Sequence, residues 1–526
     1  MQGSLIYDGL GGPAYTTDVG LVAGRIALIG DLSTRDAYER VPCSGFALAP
    51  GFIDVHSHSD ELWLVDPRCI GKISQGVTTE IGGNCGTSVA PLRGYALERK
   101  RRDAQSYRLD VDWRNLDEFY SLVEGNGVAL NIATLVGLGT TRSCVSGPAD
   151  RRLEADELAA QNALVREAVE HGALGISSGL IYEPSRYADL HELTACAQTA
   201  RDAGAARYVS HVRDEGDGVI AAIDEALTIG SAAGVAVQCS HHKAAGRRNW
   251  GKVHQTLAAI DRARTRGADI GVDVYPYIAS WTELATILPD TVRSGGESVT
   301  LERLRDPEIA ASVALALNLR RDPALGGDTW HDILITDVGS ERNAQLAGHR
   351  LDDIAKAWGL APARAAIRLL LEEDLNVQCA FFSMSEDDVA TVLSAEFCSV
   401  GSDSSARAFD GITARGVPHP RTYGCFPRVF GRFVRGRHTL SIEEAIRRMT
   451  SLPARQFGLR ERGSIVAGQW ADLVVFDAAE IADRATYDRP YAQSAGIRDV
   501  FVNGRAVMRN ASFTRTLPGR ALRNGR

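Results

Sequence analysis

The chain has 526 residues, with 58 lysines and arginines against 66 aspartates and glutamates, and its formal charge of -8 is spread without a long block of either sign. That length holds one large domain and a smaller one, and the charge pattern argues against a nucleic-acid or acidic-membrane partner. Nine cysteines, irregularly spaced from Cys43 to Cys425, argue against a disulfide framework, and the lack of a basic leader or a long apolar run predicts a soluble cytoplasmic protein.

Residues 1–50 contain "GSLIYDG", "DVGLVAGRIALIG" and "GFALAP", whose alternating apolar residues and glycine turns predict short strands in hairpins. The texture then changes. Eight candidate strands follow in order: "GFIDVHSH", "GVTTEIGG", "NIATLVGLG", "LGISSGLIY", "ARYVSHVRD", "VAVQCSHH", "DIGVDVYPY" and "CSVGSDSS". Most are succeeded by Ala-, Leu- and Glu-rich segments, which predicts a (β/α)8 TIM-type barrel over residues 51–454. The long interval 281–395, between the seventh and eighth strands, predicts helices with a substrate-covering insertion at about 285–340. In "FPRVFGRFVR" the arginines at 428, 432 and 435 fall at helical spacing and read as a charged helix face. Residues 463–478 and 497–507 return to the hairpin texture, with a turn signal at Asn503-Gly504. Segments 1–50 and 455–526 are therefore expected to share one small β-sandwich domain.

Barrel active sites lie at the carboxyl ends of the strands, and the polar residues gather there. Alternation puts His56 and His58 on one face, with Ser57 pointing away. Two imidazoles so placed could share a metal ion, or could be ordinary polar residues ending a strand. His211, His241 and Asp403 occupy equivalent strand ends, and such a convergence is hard to explain as packing. Cys85, in the glycine-rich "GGNCGTS", reads either as a buried structural cysteine or as a thiolate ligand of zinc. Asp403 reads either as a helix N-cap in "GSDSSA" or as a catalytic carboxylate.

Over nearly its whole length the chain resembles the N-acyl-D-amino-acid deacylase (D-aminoacylase) family of the amidohydrolase superfamily. The matching segments are "APGFIDVHSHSD", "GVTTEIGGNCGTSVAP", "GISSGLIYEP", "YVSHVRDEGD", "QCSHHKAAG", "GVDVYPY", "GSD" and "PHPRTYGCFPRVFGRFVR". "GNCG" and the last of these are more diagnostic than His-x-His, which the whole superfamily shares. The resemblance implies that Cys85, His211 and His241 hold one tightly bound Zn²⁺ and that His56 and His58 match a second, weaker position. It further implies that Asp403 is the general base and acid for a zinc-activated water attacking a linear amide. Arg421 matches the residue that grips the substrate's α-carboxylate. Lys243, expected on the His241 face if the strand continues, and Tyr182 and Tyr275 could donate to that carboxylate or to the developing oxyanion.

Two departures from the family pattern bear on substrate: Gly137-Leu138-Gly139 stands where relatives commonly show Gly-His-Gly, and Ser404 where many carry glycine. The expected partner is a small N-acylated amino acid or amine, hydrolysed to a carboxylate and a free amine. The alternatives are a cyclic amide, a specialised biosynthetic N-acyl intermediate, or an inactive binding protein on the same barrel. The sequence leaves the oligomeric state open.

Overall fold

The computed structural model describes residues 1–321 and 327–525. Residues 322–326, inside the expected insertion, and Arg526, in the C-terminal segment, lie outside the described residues. The chain opens with strands β1 (Ser4–Ile6), β2 (Tyr15–Val22), β3 (Arg25–Gly30) and β4 (Ala47–Pro50). β2 and β3 are joined by Ala23-Gly24, both at positive φ, the conformation a two-residue hairpin turn requires.

One residue, Gly51, separates this sheet from the barrel. The barrel strands are β5 (Phe52–Asp54), β6 (Val77–Gly82), β7 (Asn131–Thr134) with its continuation β8 (Val136–Gly137), β9 (Ile176–Gly179), β10 (Arg207–His211), β11 (Ala236–Cys239) and β12 (Ile270–Val274). Their ladders are all parallel. Every residue of β6, β9, β10 and β12 is buried, as expected of a parallel sheet enclosed by helices. Helices at Ala155–Glu170, Leu190–Asp202, Val219–Ala233 and Val253–Thr265 supply the outer ring between successive strands.

An inserted layer follows, built on the antiparallel strands β13 (Ser280–Glu283), β14 (Ile333–Val338) and β15 (Val377–Phe381). It carries its own core, including Leu284, Leu304, Ile333, Leu351 and Leu370. The layer therefore begins and ends outside the expected 285–340, because the middle strand of its sheet returns only at Val377. The barrel then resumes with β16 (Cys398–Val400), parallel to β12. Between β16 and β5 the ladder reduces to a single bridge, Ser57 to Ser404. Both faces of that seam carry site residues.

β17 (Leu473–Phe476), β18 (Ile497–Val502), β19 (Arg505–Arg509) and β20 (Ser512–Phe513) complete an eight-stranded sheet in the order β20-β19-β18-β17-β4-β1-β2-β3. The two chain ends meet where Ala49 of β4 faces Val474 of β17. The fold is thus a TIM-type barrel with an insertion and a sheet domain formed by both ends. Among the described residues no helix is long and apolar enough to cross a membrane, and all nine cysteines are free.

Candidate active site

Cys85, His241 and Asp403 all have positive φ, at 52°, 34° and 49°. Non-glycine residues reach that left-handed region only at a cost of about 1–3 kcal/mol each. Each follows a strand end, where the backbone turns sharply enough to aim its side chain across the barrel mouth. The loop carrying Cys85 is seated on glycines. A Cβ added at Gly179 would overlap the Cys85 carbonyl, and one at Gly137 would overlap that of Gly86. Leu138, beside Gly137, opens the helix Leu138–Ser146 and is part of the main core.

Around the buried Cys85 Sγ stand His56 Nε2 at 3.3 Å, His211 Nδ1 at 3.6 Å and His241 Nε2 at 3.6 Å. Burial alone would disfavour the thiolate, but the imidazoles of His56, His211 and His241 outweigh it and hold the thiol pKa well below its usual range. Donors roughly 2.0–2.3 Å from one tetrahedral ion stand about 3.5 Å apart, close to these separations. One thiolate with two or three imidazoles, largely dry, is a donor set suited to Zn²⁺. A second group of donors, His56, His58, Cys85 and Asp403, shares the same sulfur, with its atoms mutually within 4.8 Å.

Asp403 joins the two groups to the rest of the mouth. Its Oδ1 lies 3.1 Å from His58 Nε2 and 3.5 Å from His56 Nε2, and its Oδ2 lies 2.9 Å from Arg421 Nη2. Burial pushes its pKa up, but the Arg421 guanidinium and the imidazoles of His241, His58 and His56 prevail and keep it well below the ordinary carboxylate range. No helix starts at Ser404; the next helical turn, Gly411–Thr413, is preceded by Asp410. The helix N-cap alternative for Asp403 therefore fails.

The other expected residues are close by, with different partners. Arg421 is buried at the start of the helix Arg421–Arg428, its guanidinium 4.3 Å from the centre of the Tyr275 ring. Its Nε and Nη1 are buried without a hydrogen-bond partner among the described residues. Tyr275 donates its hydroxyl to Met384 Sδ at 3.6 Å, and Tyr182 shares a hydrogen bond of 3.1 Å with Thr282 of the insertion while its ring edges against His211. Lys243 faces away from any simple strand register, because β11 stops at Cys239 and the backbone turns at His241. Its ammonium pairs with Glu215 and lies 2.8 Å from His241 Nδ1. The arginines at 428, 432 and 435 bind Asp483, Glu386 and the carbonyls of Ala478 and Ile481, so this face is tied into the fold.

Two carboxylates outside the expected set stand behind the donors. Glu215 Oε1 is 3.0 Å from His241 Nδ1, and Oε2 is 3.8 Å from His211 Nε2. Although burial opposes its ionisation, Lys243, His211 and His241 together hold its pKa well below normal. Asp273 Oδ1 accepts the backbone N–H of His241 at 2.8 Å and faces His56 Nδ1 at 3.2 Å. A carboxylate that accepts the N–H of an outer nitrogen leaves the inner one free to bind a cation, and Glu215 is within that reach of His241; His56 Nδ1 and His211 Nε2 have no hydrogen-bond partner among the described residues. The available signals were "HVRDE", with Glu215 four residues past His211, and the acid inside "GVDVY".

Residues 41–508 match the amidohydrolase family. The N-acyl-D-glutamate deacylase of Alcaligenes xylosoxydans xylosoxydans is 38% identical over 524 residues, covering 99% of this chain and 96% of that protein. The crystal structure of N-acyl-D-glutamate deacylase from Bordetella bronchiseptica, complexed with zinc and a phosphonate mimic of the tetrahedral intermediate, superposes with a TM-score of 0.82. It is 36% identical, and coverage is 99% of this chain and 98% of that one. A D-aminoacylase structure, described by one-metal activation and second-metal attenuation at a binuclear centre, is 33% identical with a TM-score of 0.83, each chain being covered to 99%.

Proposed function

This chain belongs to the amidohydrolase family, in its N-acyl-D-amino-acid deacylase branch, and from that premise we propose that it hydrolyses N-acyl-D-amino acids to a carboxylate and the free D-amino acid. The reaction class is metal-dependent hydrolysis of a linear amide. The observation that carries the reading is the Cys85 sulfur ringed by His56, His211 and His241, with the Asp403 carboxylate 3.5 Å from one of those imidazoles.

In this reading Cys85, His211 and His241 would hold one tight zinc ion, and His56 and His58 would offer a second, weaker position. When bound, the metal would lower the pKa of a water towards about 7 and act as a Lewis acid for the substrate carbonyl. Asp403 takes the proton of the attacking water as the C–O bond forms. It returns that proton to the departing nitrogen as the C–N bond breaks, so the carboxylate ends each turnover ionised. His58 and Arg421 fix its two oxygens, one each, and so keep the lone pair aimed at the mouth.

Arg421 has Nε and Nη1 to offer the substrate's α-carboxylate while Nη2 stays on Asp403. Tyr275 supports that guanidinium through its ring face, and Lys243 adds positive charge behind His241. In this reading Tyr182, bonded to Thr282 of the insertion and with its ring edge against His211, borders the substrate. The preference for the D-hand follows the relatives. A panel of N-acetyl-D-amino acids, their L-forms, dihydroorotate and hydantoins, assayed with zinc-loaded protein, tests the reading. Turnover confined to cyclic amides would replace it, and no turnover of any amide would end it.

A further inference from the structure

The mechanism leaves unused a group of fully buried charges beside the site. Lys72, Asp54 and Glu80 are all fully buried. Such groups are tolerated only when paired and hydrogen-bonded. The Lys72 ammonium meets Asp54 Oδ2 at 2.6 Å, Glu80 Oε1 at 2.9 Å, Ser402 Oγ at 2.7 Å and the Ser404 carbonyl at 3.0 Å. Its contacts reach the first strand, the second strand and the chain beyond the last one. They span the seam where the barrel ladder has only one bridge.

The two residues it holds beyond β16, Ser402 and Ser404, are the immediate neighbours of Asp403. The carboxylates it pairs with grip the same region from the other side. Asp54 Oδ1 accepts the N–H of Ser402 at 2.9 Å and that of His56 at 3.2 Å. Glu80 accepts Ser57 and Ser59 hydroxyls at 2.8 Å each and the Trp63 indole N–H at 2.9 Å. Ser59 in turn accepts the N–H of Ala406 at 2.8 Å. Ser404, one of the departures from the family pattern, extends the chain of contacts to Thr422 at 2.7 Å, next to Arg421.

We propose that Lys72 is a positioning residue for proton transfer: by clamping Ser402 and Ser404 it holds Asp403 in its left-handed backbone conformation. A non-glycine residue keeps a positive φ where its surroundings over-determine it; losing the contacts on its flanks lets Asp403 relax, and the carboxylate leaves the line between His58 and Arg421. Lys72 touches neither substrate nor the cysteine and histidines assigned to zinc. This inference rests on the assignment of Asp403 as the proton carrier.

The test is a double-mutant cycle on the zinc-loaded full chain, with N-acyl-D-amino-acid hydrolysis, bound zinc and melting temperature measured on each variant. Lys72→Met is expected to keep about one zinc per chain and near-normal KM while kcat falls about a hundredfold, the scale of a 1 Å misplacement. In an Asp403→Asn background the same change is expected to cost almost nothing more, whereas a merely structural role would give an additive loss. Ser402→Ala, which removes one of the clamp's hydrogen bonds and leaves every charge in place, is expected to lower kcat alone and decides the matter if Lys72→Met does not fold. Wild-type kcat in folded Lys72→Met or in Ser402→Ala, or additivity with Asp403→Asn, would overturn the inference. Full activity of Asp403→Asn by itself would instead overturn the assignment of Asp403.

Discussion

Cys85 Sγ lies 3.3 Å from His56 Nε2, nearer than to either of the other two imidazoles around it. The sulfur therefore sits at the junction of the two donor groups. Removing it should empty both. Cys85→Ala is expected to reduce bound zinc from about one per chain to background, by metal analysis, and to abolish hydrolysis without unfolding the barrel. A chelator should inactivate the wild type equally, and added Zn²⁺ should restore the wild type but not the variant.

Asp403 tests a different link. It lies within reach of both histidines of the weaker group and is kept ionised chiefly by Arg421 against burial. Asp403→Asn keeps the shape and loses the proton acceptor. Its kcat should fall about 10²–10⁴-fold, the usual contribution of a general base, while the tight zinc stays bound. Loss of zinc along with activity would show that Asp403 holds the metal instead of moving the proton.

Most of the architecture was legible in the sequence because parallel barrel strands are short apolar runs that end in polar residues. All eight candidate strands are strands of the barrel, and Cys85, His211 and His241 meet because strand ends share one rim. Periodicity stops carrying information where the backbone leaves the strand. It could not place Lys243, which lies beyond the turn at His241 and pairs with Glu215. Nor could it find Glu215, Asp273 or Lys72, whose value lies in contacts to residues far away in sequence. The expected insertion at 285–340 is too short for a related reason: the pairing of Ser280–Glu283 with Val377–Phe381 spans about a hundred residues and leaves no local pattern.

Glu215 offers a measurement of the support behind the ligands. Its carboxylate is 3.0 Å from His241 Nδ1 and pairs with Lys243. Glu215→Gln removes the charge with little change of shape. Zinc affinity or activity should fall about 10–100-fold, as for other carboxylates behind metal-bound histidines. A competition titration with a chromophoric chelator would read the change directly, and equal affinity would place Glu215 outside the metal's influence.

Gly179 makes a steric prediction about the loop that carries the thiol. A methyl group there has no space, since it would overlap the Cys85 carbonyl and approach the Tyr182 ring. The relief must come from moving the Cys85 loop, because Gly179 lies on a buried barrel strand. Gly179→Ala is therefore expected to weaken zinc binding and lower activity together. The same exchange at Gly125, which has open space around its Cβ, should leave both unchanged.

Arg421 separates binding from chemistry. One arm of its guanidinium rests on Asp403, and two nitrogens have no hydrogen-bond partner among the described residues, so one planar fork can serve two carboxylates. A lysine at this position preserves the charge and can still neutralise Asp403, but it cannot present parallel donors to a second carboxylate. Arg421→Lys should consequently raise KM for N-acyl-D-amino acids by about 10–100-fold, equivalent to losing a charge-assisted hydrogen bond of about 1.5–3 kcal/mol, with a smaller loss in kcat. The matching N-acyl amine that lacks the α-carboxylate should be hydrolysed equally poorly by both proteins. If the variant discriminates between these two substrates as strongly as the wild type does, the α-carboxylate is bound elsewhere, and the free nitrogens of Arg421 serve only to polarise Asp403.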